Sequence, residues 1–232
     1  MKKVTFLTCT GGRPELFALC RRWVLRQTVQ PTRWVVTTDC DDLPHAPEAE
    51  VIQIPKDYVH PPCDNVSPAL RALSFGIQQM DDDSHVVVFE DDDWYGPRYV
   101  ETLLAADHWC PYQENIGQFH LPTSKFNYSL YTAGPVEGML CFSPGNRDRI
   151  LNWLMTHPRP PLLKSKRVPM CQLVQVKGVG YGLPGRAGQT HKHVTNHRKV
   201  KIMQPDPDHR KFRSLVGEED AQAYLSLLQP CH

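Results

Sequence analysis

The 232-residue sequence predicts an α/β sandwich with a mostly parallel central sheet, and three observations carry that expectation. Short β-type runs alternate with stretches of helical periodicity through the first half of the chain. The run Val86-Val87-Val88-Phe89 is continuously apolar, as in a strand covered on both faces. Polar clusters at 8–13, 39–42 and 90–93 each follow a predicted strand directly. In open α/β sheets ligands sit beyond the carboxyl ends of the strands, so three strand ends are expected to meet at one crevice.

The elements follow in order. Residues 4–8 form a compact β-type run, and Thr10-Gly11-Gly12-Arg13-Pro14 turns the chain, with Pro14 suited to a first helical turn. Leu16, Leu19, Trp23 and Leu25 then recur at near-helical spacing through about residue 26. Strands are expected at 34–38 and 51–54. Pro55, Pro61, Pro62 and Pro68 mark a long loop before a helix over 69–79. The strand 86–89 is followed by a helix from Pro97 through about residue 106. The second half is less regular, with strands at 116–120, 136–142 and 173–179, a helix over 146–155 and a break at 158–161. Glycines at 178, 180, 182, 185 and 188 announce a loop, then a basic tract leads to a terminal helix at 218–228. No internal repeat or low-complexity linker divides the chain, so one domain with a C-terminal extension is expected.

Composition narrows the class. Hydrophobic residues make up 41% and charged residues 22%, ordinary globular usage that disfavours collagenous, disordered and membrane-spanning chains. Lys and Arg number 26 against 25 Asp and Glu, which excludes a uniformly basic coat but leaves room for local patches. The eight cysteines, at 9, 20, 40, 63, 110, 141, 171 and 231, form no C-x-x-C pair and read as reduced thiols. The N-terminal apolar stretch is too short for a signal core, and no run approaches the roughly 20 apolar residues of a spanning helix. The expected location is the cytoplasm, with no membrane partner.

The chemistry concentrates in Glu90-Asp91-Asp92-Asp93. Four adjacent carboxylates repel one another, and at the end of a buried strand that repulsion calls for a cation. Hard oxygen donors favour Mg²⁺ or Mn²⁺. The run Asp81-Asp82-Asp83 follows a helix and faces the entry to the strand, so it reads as a solvated turn.

A strand ending in an acidic D-x-D-type motif, with Pro97 a few residues on, resembles the GT-A glycosyltransferases of the family 2 type, as does the opening Thr-Cys-Thr-Gly-Gly-Arg-Pro-Glu-Leu. The resemblance covers roughly residues 1–145 and implies a GT-A-like, Rossmann-related α/β/α sandwich. The expected single domain then comprises a nucleotide-sugar-binding half at 1–110, an acceptor-side half at 111–185 and, from its charge, a basic C-terminal extension at 186–232. By spacing to Pro97 the motif falls on Glu90-Asp91-Asp92, with Glu in place of the first Asp; the frame Asp91-Asp92-Asp93 also contains Asp92. The resemblance implies Asp92 as the metal-binding position, with Glu90 and Asp91 beside the donor. It also implies that Thr8, Thr10 and Arg13 contact the nucleotide, that Asp39 meets the base or ribose, and that Arg71 approaches the nucleobase or diphosphate. The implied activity is transfer of a sugar, a hexose first, from a nucleotide-diphosphate donor, UDP-linked first, to a hydroxyl acceptor.

Family members often complete the metal site with a late-loop histidine, and His191-Lys192-His193 offers two imidazoles on one side of an extended segment. A direct displacement needs a carboxylate to take the acceptor's proton; Glu137 and Asp148 are the candidates. Between residues 186 and 213 eight Lys or Arg stand against two Asp, a density that suits a phosphate backbone. A DNA acceptor carrying a hydroxymethylated base, as bacteriophage glycosyltransferases of this type modify, is therefore weighed beside saccharide, lipid-linked and protein acceptors; the location is then the cytoplasm of a bacterial host. The alternatives are a sugar nucleotidyltransferase, which normally opens on a more basic glycine-rich loop, and a zinc-containing nucleic-acid-binding module built on the histidine loop.

Overall fold

A computed structural model describes residues 2–41, 44–59, 68–113, 115–130, 140–155, 166–168, 173–177, 179 and 203–228. The chain opens on β1 (Val4–Thr10), α1 (Pro14–Leu25), β2 (Arg33–Thr38) and β3 (Glu50–Gln53). Next come α2 (Pro68–Gln78), β4 (His85–Glu90), β5 (Trp94–Tyr95) and α3 (Tyr99–Ala105). β6 (Pro111–Gln113), β7 (Asn115–His120), β8 (Lys125–Leu130) and β9 (Cys141–Phe142) precede α4 (Arg147–Met155). β10 (Lys166–Val168), β11 (Leu173–Lys177), β12 (Gln204–Pro205), α5 (Arg210–Val216) and α6 (Glu218–Leu225) complete the described chain.

The first sheet has the order β3-β2-β1-β4-β9. Its first four strands are parallel and β9 alone runs antiparallel, against β4. Side chains alternate across it. Phe6, Trp34, Val36, Val87 and Phe89 join the α1 residues Leu16, Phe17, Cys20, Trp23 and Val24 in one core. Leu7, Val35, Val86 and Val88 join Leu73 and Ile77 of α2 and Ile150 and Leu154 of α4 in another. A sheet covered on both faces buries nearly every side chain, which is why β4 reads as an unbroken apolar run over Val86–Phe89 and why even the threonines of β1 are buried. The predicted α/β/α sandwich with a mostly parallel central sheet is the observed one.

The second sheet, β12-β8-β7-β11-β5, differs from expectation. Only β7 and β11 stand out in the sequence. β5 and β12 are two residues each, too short to show a period, and β8 carries Asn127 and Ser129 among its apolar residues. The chain leaves the first sheet at Glu90 and enters the second at Trp94, whose strand pairs antiparallel with β11. The acidic residues 91–93 therefore bridge the two sheets.

Other boundaries also shift. The helix expected from Pro97 begins at Tyr99, and the strand expected over 173–179 ends at Lys177. Of the strand expected at 136–142, residues 141–142 are observed; residues 131–139 lie outside the described ones, as does the expected break at 158–161. Leu25, counted in the apolar stripe of α1, is 41% exposed; the buried stripe ends on Trp23 and Val24. The described part of the expected C-terminal extension is built into the main core: Phe212, Val216, Ala221 and Tyr224 pack with Trp23 and Phe119. Cys9, Cys20, Cys40, Cys110 and Cys141 are free thiols, and no helix among the described residues is long and apolar enough to cross a membrane.

Candidate active site at the carboxyl edge of the parallel sheet

β1 lies between β2 and β4, so the loop after β1 reaches both neighbouring strand ends. Gly12 makes this turn at φ +68, a left-handed conformation that glycine adopts at little cost. A Cβ there would lie 2.5 Å from the Cys40 sulfur, so the loops after β1 and β2 are in close contact. Pro14 then starts α1, and Arg13, at the helix entrance, turns its side chain toward β4 rather than capping the helix.

Arg13 and Thr10 both meet Asp91. The Arg13 Nη2 donates to Asp91 Oδ1 and its Nε to Oδ2 at 3.2 Å, a two-point grip on one carboxylate. The Thr10 hydroxyl donates to Oδ2 at 2.7 Å, and Arg13 Nη1 reaches Asp92 Oδ2 at 3.5 Å. Burial pushes the Asp91 carboxyl above the usual carboxylate range, to about 6, against the opposing pull of Arg13. Asp91 is thus an internal anchor for the β1 loop.

Glu90, Asp92 and Asp93 instead converge: one carboxylate oxygen from each lies within 4.8 Å of the others. The turn that sends Asp91 toward Arg13 gathers its neighbours together. Asp93 Oδ1 also accepts the Val176 N–H at 3.1 Å, tying the cluster to β11, and the Tyr95 hydroxyl accepts the Glu90 N–H at 2.8 Å. An all-oxygen donor set of this spread, two of its members buried, fits a hard divalent cation such as Mg²⁺ or Mn²⁺.

The remaining candidates divide. Thr8 is buried, and its hydroxyl accepts from the Trp34 indole at 3.1 Å and lies 3.9 Å from the Cys20 sulfur, so its side chain packs under α1. Asp39 sits half-buried at the end of β2, beside Cys40. Arg71 donates to the carbonyls of Pro55 and Tyr58, at 2.6 and 3.0 Å, and so orders the loop after β3. Asp148 is exposed at the start of α4 and pairs with Arg147, which donates to Met80 O. The adjoining Gly145 N–H donates to Asp82 O just before β4, so Asp148 stands at the opposite edge of the sheet from Glu90. Glu137, His191 and His193 lie outside the described residues. Asp93 belongs to the cluster, although the spacing to Pro97 pointed to Asp92; its place in the frame Asp91-Asp92-Asp93 was the available signal. The exposed run Asp81-Asp83 carries surface pairs from Asp81 and Asp83 to Lys3, as a solvated turn should.

Fold and site together define an α/β protein that presents a carboxylate cluster beside an arginine at the carboxyl edge of a parallel sheet. No family model matches this chain, and no curated protein matches it. Among solved structures it is similar to S. aureus TarS, with a TM-score of 0.45 and 7% identity over 75% of this chain and 36% of that one. It is likewise similar to S. aureus TarS 1-349, with a TM-score of 0.45 and 8% identity over 75% of this chain and 60% of that one. This chain therefore spans less than two thirds of either, and a likeness this distant transfers no activity.

Proposed function

We propose that the protein is a glycosyltransferase that moves a sugar, a hexose first, from a nucleotide-diphosphate donor, UDP-linked first, to a hydroxyl acceptor. The observation that carries this reading is the meeting of Thr10 and Arg13 after β1 with the Glu90–Asp93 turn after β4, at the edge of the sheet where α/β proteins bind ligands. Glu90, Asp92 and Asp93 would hold Mn²⁺ or Mg²⁺, which when bound supplies Lewis-acid neutralisation of a diphosphate leaving group. Arg13 adds a fixed positive charge beside the same place, and Asp91 keeps it there. Thr10 donates to Asp91 Oδ2 alongside Arg13, so the β1 loop and the carboxylate turn hold their geometry without ligand. Asp39, one strand away, is proposed to meet the ribose or base, and Glu137, His191 and His193 stay proposed as proton acceptor and metal partners on the sequence resemblance alone. A mass-spectrometric screen of nucleotide sugars with Mn²⁺ present is expected to show turnover or hydrolysis of one donor; no reaction or binding with any donor contradicts the reading.

For the acceptor we propose DNA carrying a hydroxylated base. The dense basic stretch of 186–213 supports it, with Arg210, Lys211 and Arg213 on α5 and Lys211 Nζ 5.8 Å over the ring of Tyr128, which is 48% exposed. Cations that neutralise phosphates make affinity fall steeply with salt. Duplex binding that weakens across a salt series is the expected result, and a flat response or no binding at low salt removes DNA as the acceptor.

A further inference from the structure

Helix α1 holds the acidic turn from both ends. Arg13 grips Asp91 at its start. At its finish, Arg26, Gln27 and Thr28 donate in succession to the carbonyls of Tyr95, Gly96 and Pro97, at 3.1, 2.8 and 2.8 Å. Arg26 is held there by Asp220 of α6, whose Oδ2 accepts from Arg26 Nη1 at 2.6 Å, while Arg22 approaches Oδ1 at 3.3 Å. The Arg26 guanidinium lies 4.1 Å over the ring of Trp23 and 5.4 Å over that of Trp94.

Asp220 has a third bond that tying two helices together would not require. Its Oδ2 also accepts the indole N–H of Trp94 at 2.7 Å, and Trp94 directly follows Asp93. Asp220 is only 6% exposed, and a carboxylate that far from water is stable only when its partners are fixed. Both elements leaving the turn, the Trp94 side chain and the Tyr95 carbonyl, are thereby referred to one buried carboxylate on the last helix. Any slack there moves the backbone of Asp93 and its bond to Val176. Groups that orient the ligands of a metal site typically change its affinity by about 10- to 100-fold when removed, so such slack is read as lost affinity.

We infer that Asp220 is a positioning residue for the Glu90–Asp93 turn, acting through Trp94 and Arg26; the inference rests on the cation reading of Glu90, Asp92 and Asp93. The test is titration of the full chain with Mn²⁺ alone, following free Mn²⁺ by electron paramagnetic resonance. Trp94→Phe removes the indole N–H together with the five-membered ring that carries it, and Asp220→Asn keeps an acceptor for Trp94 but drops the charge that holds Arg26. Each is expected to keep the native circular dichroism and to bind Mn²⁺ about tenfold more weakly than wild type. Ile150→Val, on the opposite face of the sheet, is the control that lowers thermal stability and leaves Mn²⁺ affinity unchanged. Wild-type protein that binds no Mn²⁺ defeats the cation reading itself. Wild-type binding that Asp92→Ala abolishes but Trp94→Phe leaves within about twofold overturns the positioning role. Where Asp220→Asn fails to fold, Trp94→Phe decides alone, and a loss of affinity equal to that of Ile150→Val also overturns the role.

Discussion

Arg13 grips Asp91 through both carboxylate oxygens, and this pair joins the loop after β1 to the turn after β4. The Asp91 side chain is almost wholly buried and that of Arg13 largely so, so removing either partner strands the other. Breaking such a pair costs about 3–5 kcal/mol, whereas removing both charges together is often far less harmful. Urea unfolding should therefore show Arg13→Ala and Asp91→Asn each strongly destabilised and the double variant less so than their sum. Strict additivity would show that the two do not act as a pair.

Gly12 allows the same loop to close. Gly12→Ala places a methyl against the Cys40 sulfur and holds a non-glycine residue at φ +68, a conformation that itself costs about 1–2 kcal/mol. A fall in stability of at least that size is expected, and Cys40→Ala in the same background should restore the steric part. A Gly12→Ala protein as stable as wild type would contradict the close approach.

Thiol reactivity reports burial. Burial pushes the Cys9 and Cys110 thiols up to about 12, and it raises Cys40 as well, with Asp39 as the next cause. A thiol at 12 is only about one part in 10⁴ thiolate at pH 8, so Cys9 and Cys110 are protected by protonation, and the buried Cys110 by access as well. Iodoacetamide at pH 8 with peptide mapping should label Cys40 first among the five described cysteines, and more quickly as the pH rises. Bound nucleotide should slow Cys40 selectively. Equal labelling of Cys110 and Cys40 would contradict the packing.

The C-terminal helices should be indispensable. Tyr224 accepts the Trp23 indole N–H at 3.0 Å inside the main core. Tyr224→Phe leaves that N–H without its acceptor, at a cost of about 1–3 kcal/mol by denaturant unfolding. A chain ending at residue 202 should lose cooperative unfolding altogether; a stable, cooperative truncation would show the helices to be an appendage.

The parallel strands were legible because burial on both faces leaves an unbroken apolar signature, as in Val86–Phe89. Their carboxyl ends located the acidic cluster for the same reason. α5 was not legible: Arg210, Lys211 and Arg213 surround Phe212, and only Phe212 and Val216 of the helix are buried, so the stretch reads as part of a basic tract. The division of labour inside Glu90–Asp93 depends on a turn that identical neighbouring side chains do not reveal. Asp220 could not be foreseen either, since its partners Arg26 and Trp94 lie 194 and 126 positions away in the chain. Local periodicity marks elements; it is silent about which distant side chain completes them.

The measurement that bears most directly on the central claim is calorimetric titration of wild type and Asp92→Ala with UDP-sugars in the presence and absence of Mn²⁺. Metal-dependent binding to wild type, lost in Asp92→Ala while the variant keeps its fold, is the predicted result. Absence of nucleotide binding, or binding that is the same in both proteins, would contradict it.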